Sequence, residues 1–169
     1  MQIRTLPTEQ YFQIVREQMK LSGEAYVRVS GISMQPMLRH LRDGVILVPP
    51  ERVRWGDIVL FDRRNGRYAL HRVVKKGKTG FCMAGDNQWH MEHNLPYDQI
   101  VGVVSHIVRD GRRLSVRRFP LNFYSMIITA AAIPRIYVYK VLRALYRPLS
   151  GMLGRWNIHK KGQKDDQNP

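Results

Sequence analysis

The sequence predicts a mainly β protein: a compact antiparallel β domain, with an N-terminal amphipathic helix before it and basic helical segments after it. Three observations point there. Short runs of strand-forming residues recur between residues 23 and 120. Turn residues separate them: Asp43-Gly44, Pro49-Pro50, Asn65-Gly66, Lys76-Gly77-Lys78 and Asp110-Gly111. On either side of this region the apolar spacing becomes helical. Many short strands at such spacing fit a sheet that is barrel-like or folded over on itself.

Taken in order, the first element spans residues 1–22. Tyr11, Phe12, Ile14, Val15 and Met19 repeat at roughly helical spacing, with Thr8 as N-cap and Ser22-Gly23 as the stop. The β core follows over residues 23–120, with strands expected at 25–30, 45–48, 57–62, 68–74, 80–84, 100–108 and 113–118. Asn65-Gly66 and Asp110-Gly111 read as hairpin turns, because both central positions tolerate positive φ. Residues 121–156 are apolar and basic. Pro134-Arg135 interrupts them, and Lys140, Arg143 and Arg147 share one helical face. The polar tail, 157–169, is expected to be disordered.

Bulk properties narrow the function. The chain's 169 residues suffice for one domain with a real core. A formal net charge of +15 implies an anionic partner. The single cysteine, Cys82, excludes an internal disulfide and a cysteine-based zinc site. Residues 1–20 lack the apolar stretch of a secretory signal, and no stretch reaches the roughly 20 apolar residues of a clean membrane span. Basic residues are scattered, with no helix-turn-helix, zinc-finger or RNP pattern, so no specific nucleic-acid partner is expected. His90, Glu92 and His93 lie close in sequence, but their spacing matches no established zinc motif, and neither metal nor cofactor is expected.

The chemistry concentrates around Gly31-Ile32-Ser33-Met34-Gln35-Pro36-Met37-Leu38. A serine on a glycine-flanked corner between a strand and a helix holds its hydroxyl away from the backbone, beside N–H groups that could face a carbonyl. The same pattern also describes a tight turn with an N-capping serine. A reactive serine needs a base. His71, within Tyr68-Ala69-Leu70-His71-Arg72-Val73-Val74, has the rigid strand position that suits one. A base histidine needs an orienting carboxylate. Asp86, in the Gly85-Asp86-Asn87 turn, and Glu92, in the loop beyond, are both candidates.

Four blocks in series carry a resemblance: the serine octapeptide, Trp55-Gly56-Asp57-Ile58-Val59-Leu60-Phe61, His71-Arg72-Val73-Val74, and Gly85-Asp86-Asn87. Together, over roughly residues 23–109, they resemble the type I signal peptidase and LexA-type serine peptidase superfamily. Gly31, Met34, Pro36, Gly56, Asp57, Gly85 and Asn87 are the motif positions around the reactive residues. Bacterial signal peptidases and LexA-like proteins have a lysine base. Here the matching position is His71, as in the endoplasmic-reticulum and archaeal type. Glu92 stands where that type usually has aspartate.

The resemblance implies a serine endopeptidase in which Ser33 is the nucleophile and His71 the general base. Glu92 or Asp86 would orient His71, and the Ser33 backbone N–H would be an oxyanion donor. Bacterial members have a hydroxyl donor two positions before the nucleophile. Gly31 occupies that position here, so oxyanion binding would rest on backbone donors. The implied substrate is an extended leader or signal-like peptide, cut after a small residue.

Two alternatives stay open: a self-cleaving regulator of the LexA and UmuD sort, and a non-catalytic binding protein of the same fold. For self-cleavage, only Ser22-Gly23 and Ser30-Gly31 offer a suitable upstream bond, and the second is too near Ser33. The relatives that process secreted proteins usually have a membrane helix. Here Lys140, Arg143 and Arg135 would each cost about 2.5–3.5 kcal/mol at mid-bilayer. An in-plane helix over residues 121–156, on an anionic membrane surface, is therefore the expected attachment. The expected location is membrane-associated or cytoplasmic.

Overall fold

A computed structural model describes residues 7–162. The chain divides into two compact units, Met1–Ile133 and Pro134–Pro169. In the first, helix α1 (Thr8–Ser22) precedes eight strands: β1 (Ala25–Arg28), β2 (Gly44–Val48), β3 (Ile58–Asp62), β4 (Tyr68–Lys76), β5 (Phe81–Ala84), β6 (Glu92–Leu95), β7 (Ile100–Arg109) and β8 (Arg112–Ser115). Helix α2 (Leu121–Gly162) begins in this unit and supplies the second.

The strands form one open antiparallel sheet in the order β1-β2-β7-β3-β4-β5-β6, with β8 also on β7. Strand β7 is its spine. Val103 faces Val48 of β2 on one side and Val59 of β3 on the other, and further along the strand β8 pairs with residues 106–109. Register shifts at Ile46/Leu47, Leu60/Phe61, Val73/Lys75 and Phe81/Met83 bend and twist the sheet.

Both faces of the sheet are apolar. Leu60 joins a core built from Val15 and Met19 of α1 with Val27, Leu38, Leu47, Val104 and Ile107. Its neighbours Val59 and Phe61 join a second core with Val73, Phe81, Met83 and Val103. The two-residue period of a strand explains the split. Phe12 of α1 stacks on Tyr68 with ring centroids 3.9 Å apart, which seats the helix over the start of β4.

Several expectations change. Thr8 opens α1 but does not cap it, since Pro7 holds the N-cap position and no side chain caps the helix there. Gly23 ends it as expected, with φ 77° and its N–H on the Met19 carbonyl at 2.9 Å. No helix follows Ser33: a chain of turns leads directly to β2. Glu92 lies on a strand, not in a loop. That edge strand is short and polar, so neither β propensity nor alternation marks it in the sequence.

At the C-terminal end, Pro134 does not break the helix. A proline removes one backbone bond, while the flanking residues, including Ala130, Ala131 and Ala132, continue the helix on either side. α2 therefore runs on into the tail, to Gly162, and residues 163–169 lie outside the described residues. Its Leu121–Ala144 portion is long and apolar enough to cross a membrane by length and composition, unlike the interrupted segment expected from the sequence.

Candidate active site

Ser33 sits in the loop joining β1 to β2, and that loop is held at both ends. The Val29 N–H donates to the Asp43 carbonyl at 3.0 Å, and the Leu41 N–H to the Val29 carbonyl at 2.9 Å. Met34, Met37 and Leu38 are buried in the core, which anchors the turn on both sides of Pro36. Gly31 has φ 104°, a conformation that favours glycine, and its N–H donates to His40 Nδ1 at 2.8 Å. Ser33 itself is half-buried. Among the described residues, neither its hydroxyl nor its backbone N–H takes part in a hydrogen bond. The Gly31 N–H is occupied, so Ser33 is the better placed backbone donor for an oxyanion.

The Gly85-Asp86-Asn87 corner packs on the backbone of this loop. The Asn87 N–H donates to the Ser33 carbonyl at 2.8 Å, and its side-chain amide to the Ile32 carbonyl at 3.4 Å. A Cβ on Gly85 would fall 2.6 Å from the Ser33 carbonyl oxygen, too close for any side chain. Glycine is required there so that the two backbones can touch.

His71 and Ser33 line the same cavity of about 260 Å³, together with Gly31, Met34, Leu60 and Tyr68. His71 is paired with Val59 of β3, and Phe61 packs against its ring at a centroid distance of 5.5 Å. On its other edge β4 loses its neighbour, because the pairing with β5 ends at Arg72↔Ala84. Glu92, the first residue of β6, approaches there. Its Oε1 lies 3.1 Å from His71 Nδ1, close enough for an ion pair but off the axis of an aligned N–H hydrogen bond. With Nδ1 turned to Glu92, Nε2 is the ring nitrogen left to exchange a proton with a substrate or with Ser33.

Glu92 has a second cation. Arg63, which also lines the cavity, donates from Nη2 to the same Oε1. Burial pushes the Glu92 carboxyl up. The neighbouring His71, and Arg63 with its hydrogen bond, outweigh this, and the net shift is downward. Glu92 is therefore an anion at neutral pH, which is the state that can hold the His71 tautomer and stabilise its protonated form.

Asp86 is not placed to orient His71. Its carboxylate takes a bidentate pair from Arg72, Nε to Oδ1 at 2.7 Å and Nη2 to Oδ2 at 2.7 Å, with both side chains buried. The same guanidinium donates from Nη1 to the Gly56 carbonyl at 2.9 Å, and its Nη2 lies 2.9 Å from Met37 Sδ. Arg72 thus joins all four sequence blocks. Gly56 has φ 85°, with its N–H on the Val73 carbonyl, and the Asp57 carbonyl accepts from the Val73 N–H, each at 2.9 Å. The Asp57 side chain accepts the Arg54 N–H at 2.8 Å. Gly56, Asp57, Arg72 and Asp86 build the frame and are not among the residues lining the Ser33 cavity.

A second buried carboxylate completes the frame. Asp43 receives Arg109 Nε at 3.0 Å and Nη2 at 2.6 Å, and the same Nη2 lies 2.8 Å from the Met37 carbonyl. Burial pushes the Asp43 carboxyl up, but Arg109 and the Arg39 N–H more than offset it, leaving it below the ordinary range.

Sequence reading did not single out Arg63, Arg109, Asp43 or His40. Arg72 was the one with a visible signal, an arginine in mid-strand inside a motif. Among the described residues no group of three His, Cys, Asp or Glu side chains could hold a metal ion. His93, beside Glu92 in sequence, lies with Nδ1 3.7 Å from Cys82 Sγ. No protein-family model matches this chain, and no curated protein matches it either.

Proposed function

We propose that this chain is a serine endopeptidase of the signal-peptidase type. The observation that carries the reading is the shared cavity: a serine whose hydroxyl and N–H are uncommitted opens onto the same space as a histidine held by a carboxylate. In the reaction, His71 Nε2 takes the Ser33 proton as Oγ attacks the scissile carbonyl. The Ser33 N–H stabilises the oxyanion, and His71 then delivers the proton to the leaving amine. Water, activated by the same imidazole, hydrolyses the acyl-enzyme. Glu92 orients His71 and stabilises its charge.

The substrate is an extended peptide. Residues 27–30 of and beyond β1, and residues 68–71 of β4, line the cavity, and each stretch has a strand neighbour on one side only. Main-chain groups on those free edges can pair with a peptide laid between them. A leader or signal-like peptide, cut after a small residue, is the class the four-block resemblance suggests.

Helix α2 attaches the enzyme to a membrane. An 18-residue window of its Leu121–Ala144 portion has mean hydropathy 1.3 and is 22 % buried, and the portion itself has 24 residues. At 1.5 Å per residue it is about 36 Å long, against a hydrocarbon core of about 30 Å.

The test uses leader-like peptides and the full chain. Ser33→Ala is expected to abolish cleavage, a loss of at least about 10³-fold, with an unchanged thermal unfolding midpoint, and His71→Ala to do nearly the same. Full activity in Ser33→Ala would overturn the assignment. A chain that shortens on ageing while external peptides stay intact would favour the self-cleaving alternative.

A further inference from the structure

Away from the Ser33 cavity, β7, β8 and the first turn of α2 enclose an open hollow of about 690 Å³. Its walls include His106, Arg113, Leu114, Arg118, Phe119 and Leu121, and among the described residues no carboxylate lines it. Arg109 also borders it, but that guanidinium is committed to Asp43 and the Met37 carbonyl. The other two arginines are available. Among the described residues Arg113 pairs with Glu24 alone, at 2.9 Å and with both side chains well exposed, and such a pair is worth at most about 1 kcal/mol. The Arg118 guanidinium makes no ion pair or hydrogen bond among the described residues.

One rim of the hollow is apolar. Phe119 is 81 % exposed, and Phe123, Met126 and Ile127 continue the exposed apolar surface along the first turns of α2. Cations beside an exposed aromatic, at the start of a helix long enough to cross a membrane, reproduce the layering of a bilayer interface. Phosphates lie at the depth of the arginines and acyl chains run along the helix.

We propose that this hollow is a seat for the phosphate of an anionic phospholipid headgroup, held by Arg113 and Arg118 with the lipid's apolar part against Phe119. The proposal rests on the membrane attachment of α2 and goes beyond it, because it assigns a lipid contact to the β domain itself. Such a seat would fix how the Ser33 cavity is presented to a membrane-borne peptide.

The experiment measures flotation of the full chain with vesicles of phosphatidylcholine alone and of phosphatidylcholine containing phosphatidylglycerol. The native protein should bind both, and the anionic vesicles more tightly. The Arg113→Ala/Arg118→Ala double variant should lose the anionic gain, roughly fivefold for each cation, while binding neutral vesicles as before. Lys75→Ala/Lys78→Ala, the same charge change around the β4–β5 turn, should keep the gain. Inorganic phosphate at constant ionic strength should not displace the protein.

Retention of the gain by the arginine variant would overturn the seat, as would an equal loss in the lysine variant. Displacement by inorganic phosphate would overturn it in favour of a free-phosphate site. Failure of the native chain to bind either vesicle would overturn the attachment of α2, and the seat with it.

Discussion

His71 and Arg72 are adjacent on β4 and, because side chains alternate along a strand, leave it on opposite faces. Each meets a carboxylate, and the two pairs differ in exposure and geometry. Arg72 and Asp86 are both 1 % exposed and joined by two aligned hydrogen bonds. His71 is as deeply buried, but Glu92 is 21 % exposed, meets the ring off-axis and shares its oxygen with Arg63. The closed pair ties four chain segments into one frame. The open pair borders a cavity and keeps a nitrogen that can exchange a proton. Aligned, fully satisfied charge pairs suit scaffolding, whereas catalysis needs a pair that can change its protonation state.

Exchanging the insults should separate the two most sharply. Asp86→Ala leaves the Arg72 guanidinium buried without its carboxylate, a loss of about 3–5 kcal/mol of stability, read from denaturant unfolding. Much of the chain should then fail to accumulate folded. Glu92→Gln should leave unfolding within about 1 kcal/mol of native, because the site is partly open to solvent. Its peptide cleavage should fall by about 10³–10⁴-fold, since an amide neither holds the right tautomer nor stabilises the imidazolium. If Asp86→Ala folds normally and loses only activity, the assignment of the two acids is reversed.

The sequence made the frame legible and left the pairing undecided. Seven of the eight strands follow from alternation and turn chemistry, and Gly23 ends α1 where it was expected. Ser33 and His71 stand out only through the four blocks taken in series, because each local context by itself also fits a structural role. Which acid serves His71 cannot be read along the chain. Asp86 and Glu92 are six positions apart, and the choice depends on β5 ending opposite Arg72 and β6 turning back beside it. Glu92 itself looked like a loop residue because Glu92-His93-Asn94-Leu95 has no apolar alternation. The cations that complete each site come from distant segments, Arg63 from beyond β3 and Arg109 from the end of β7, and in the sequence they are indistinguishable from the other basic residues.

Arg63 sharpens the comparison further, because it makes the open pair a triad of charges. Without it, Glu92 loses one of its two cations and is less firmly placed against His71. Arg63→Ala should therefore lower the maximal rate by roughly tenfold, well short of Glu92→Gln, because Glu92 remains to orient the imidazole. A purely structural arginine would lower the amount of active protein and leave the rate per active molecule unchanged. Cleavage normalised to the concentration of folded, active chain distinguishes the two.

The smallest effect expected concerns acid stability, and it again divides site from frame. Glu92 and Asp43 both have carboxyls held below their ordinary range in the folded chain. A depressed carboxyl contributes stability that is complete above its unfolded value, at about pH 5 and higher, and drains away as pH falls through the folded value. Stability should thus decline on acidification, with one share from each group. Glu92→Gln removes only the share belonging to the site, so its unfolding midpoint in urea should drop less between neutral and acid pH than that of the native chain. The Asp43 share should persist in that variant, because Arg109 and the Arg39 N–H still hold that carboxylate. Equal acid losses in native and Glu92→Gln proteins would mean that His71 and Arg63 do not stabilise the Glu92 anion, and the open pair would lose its electrostatic basis.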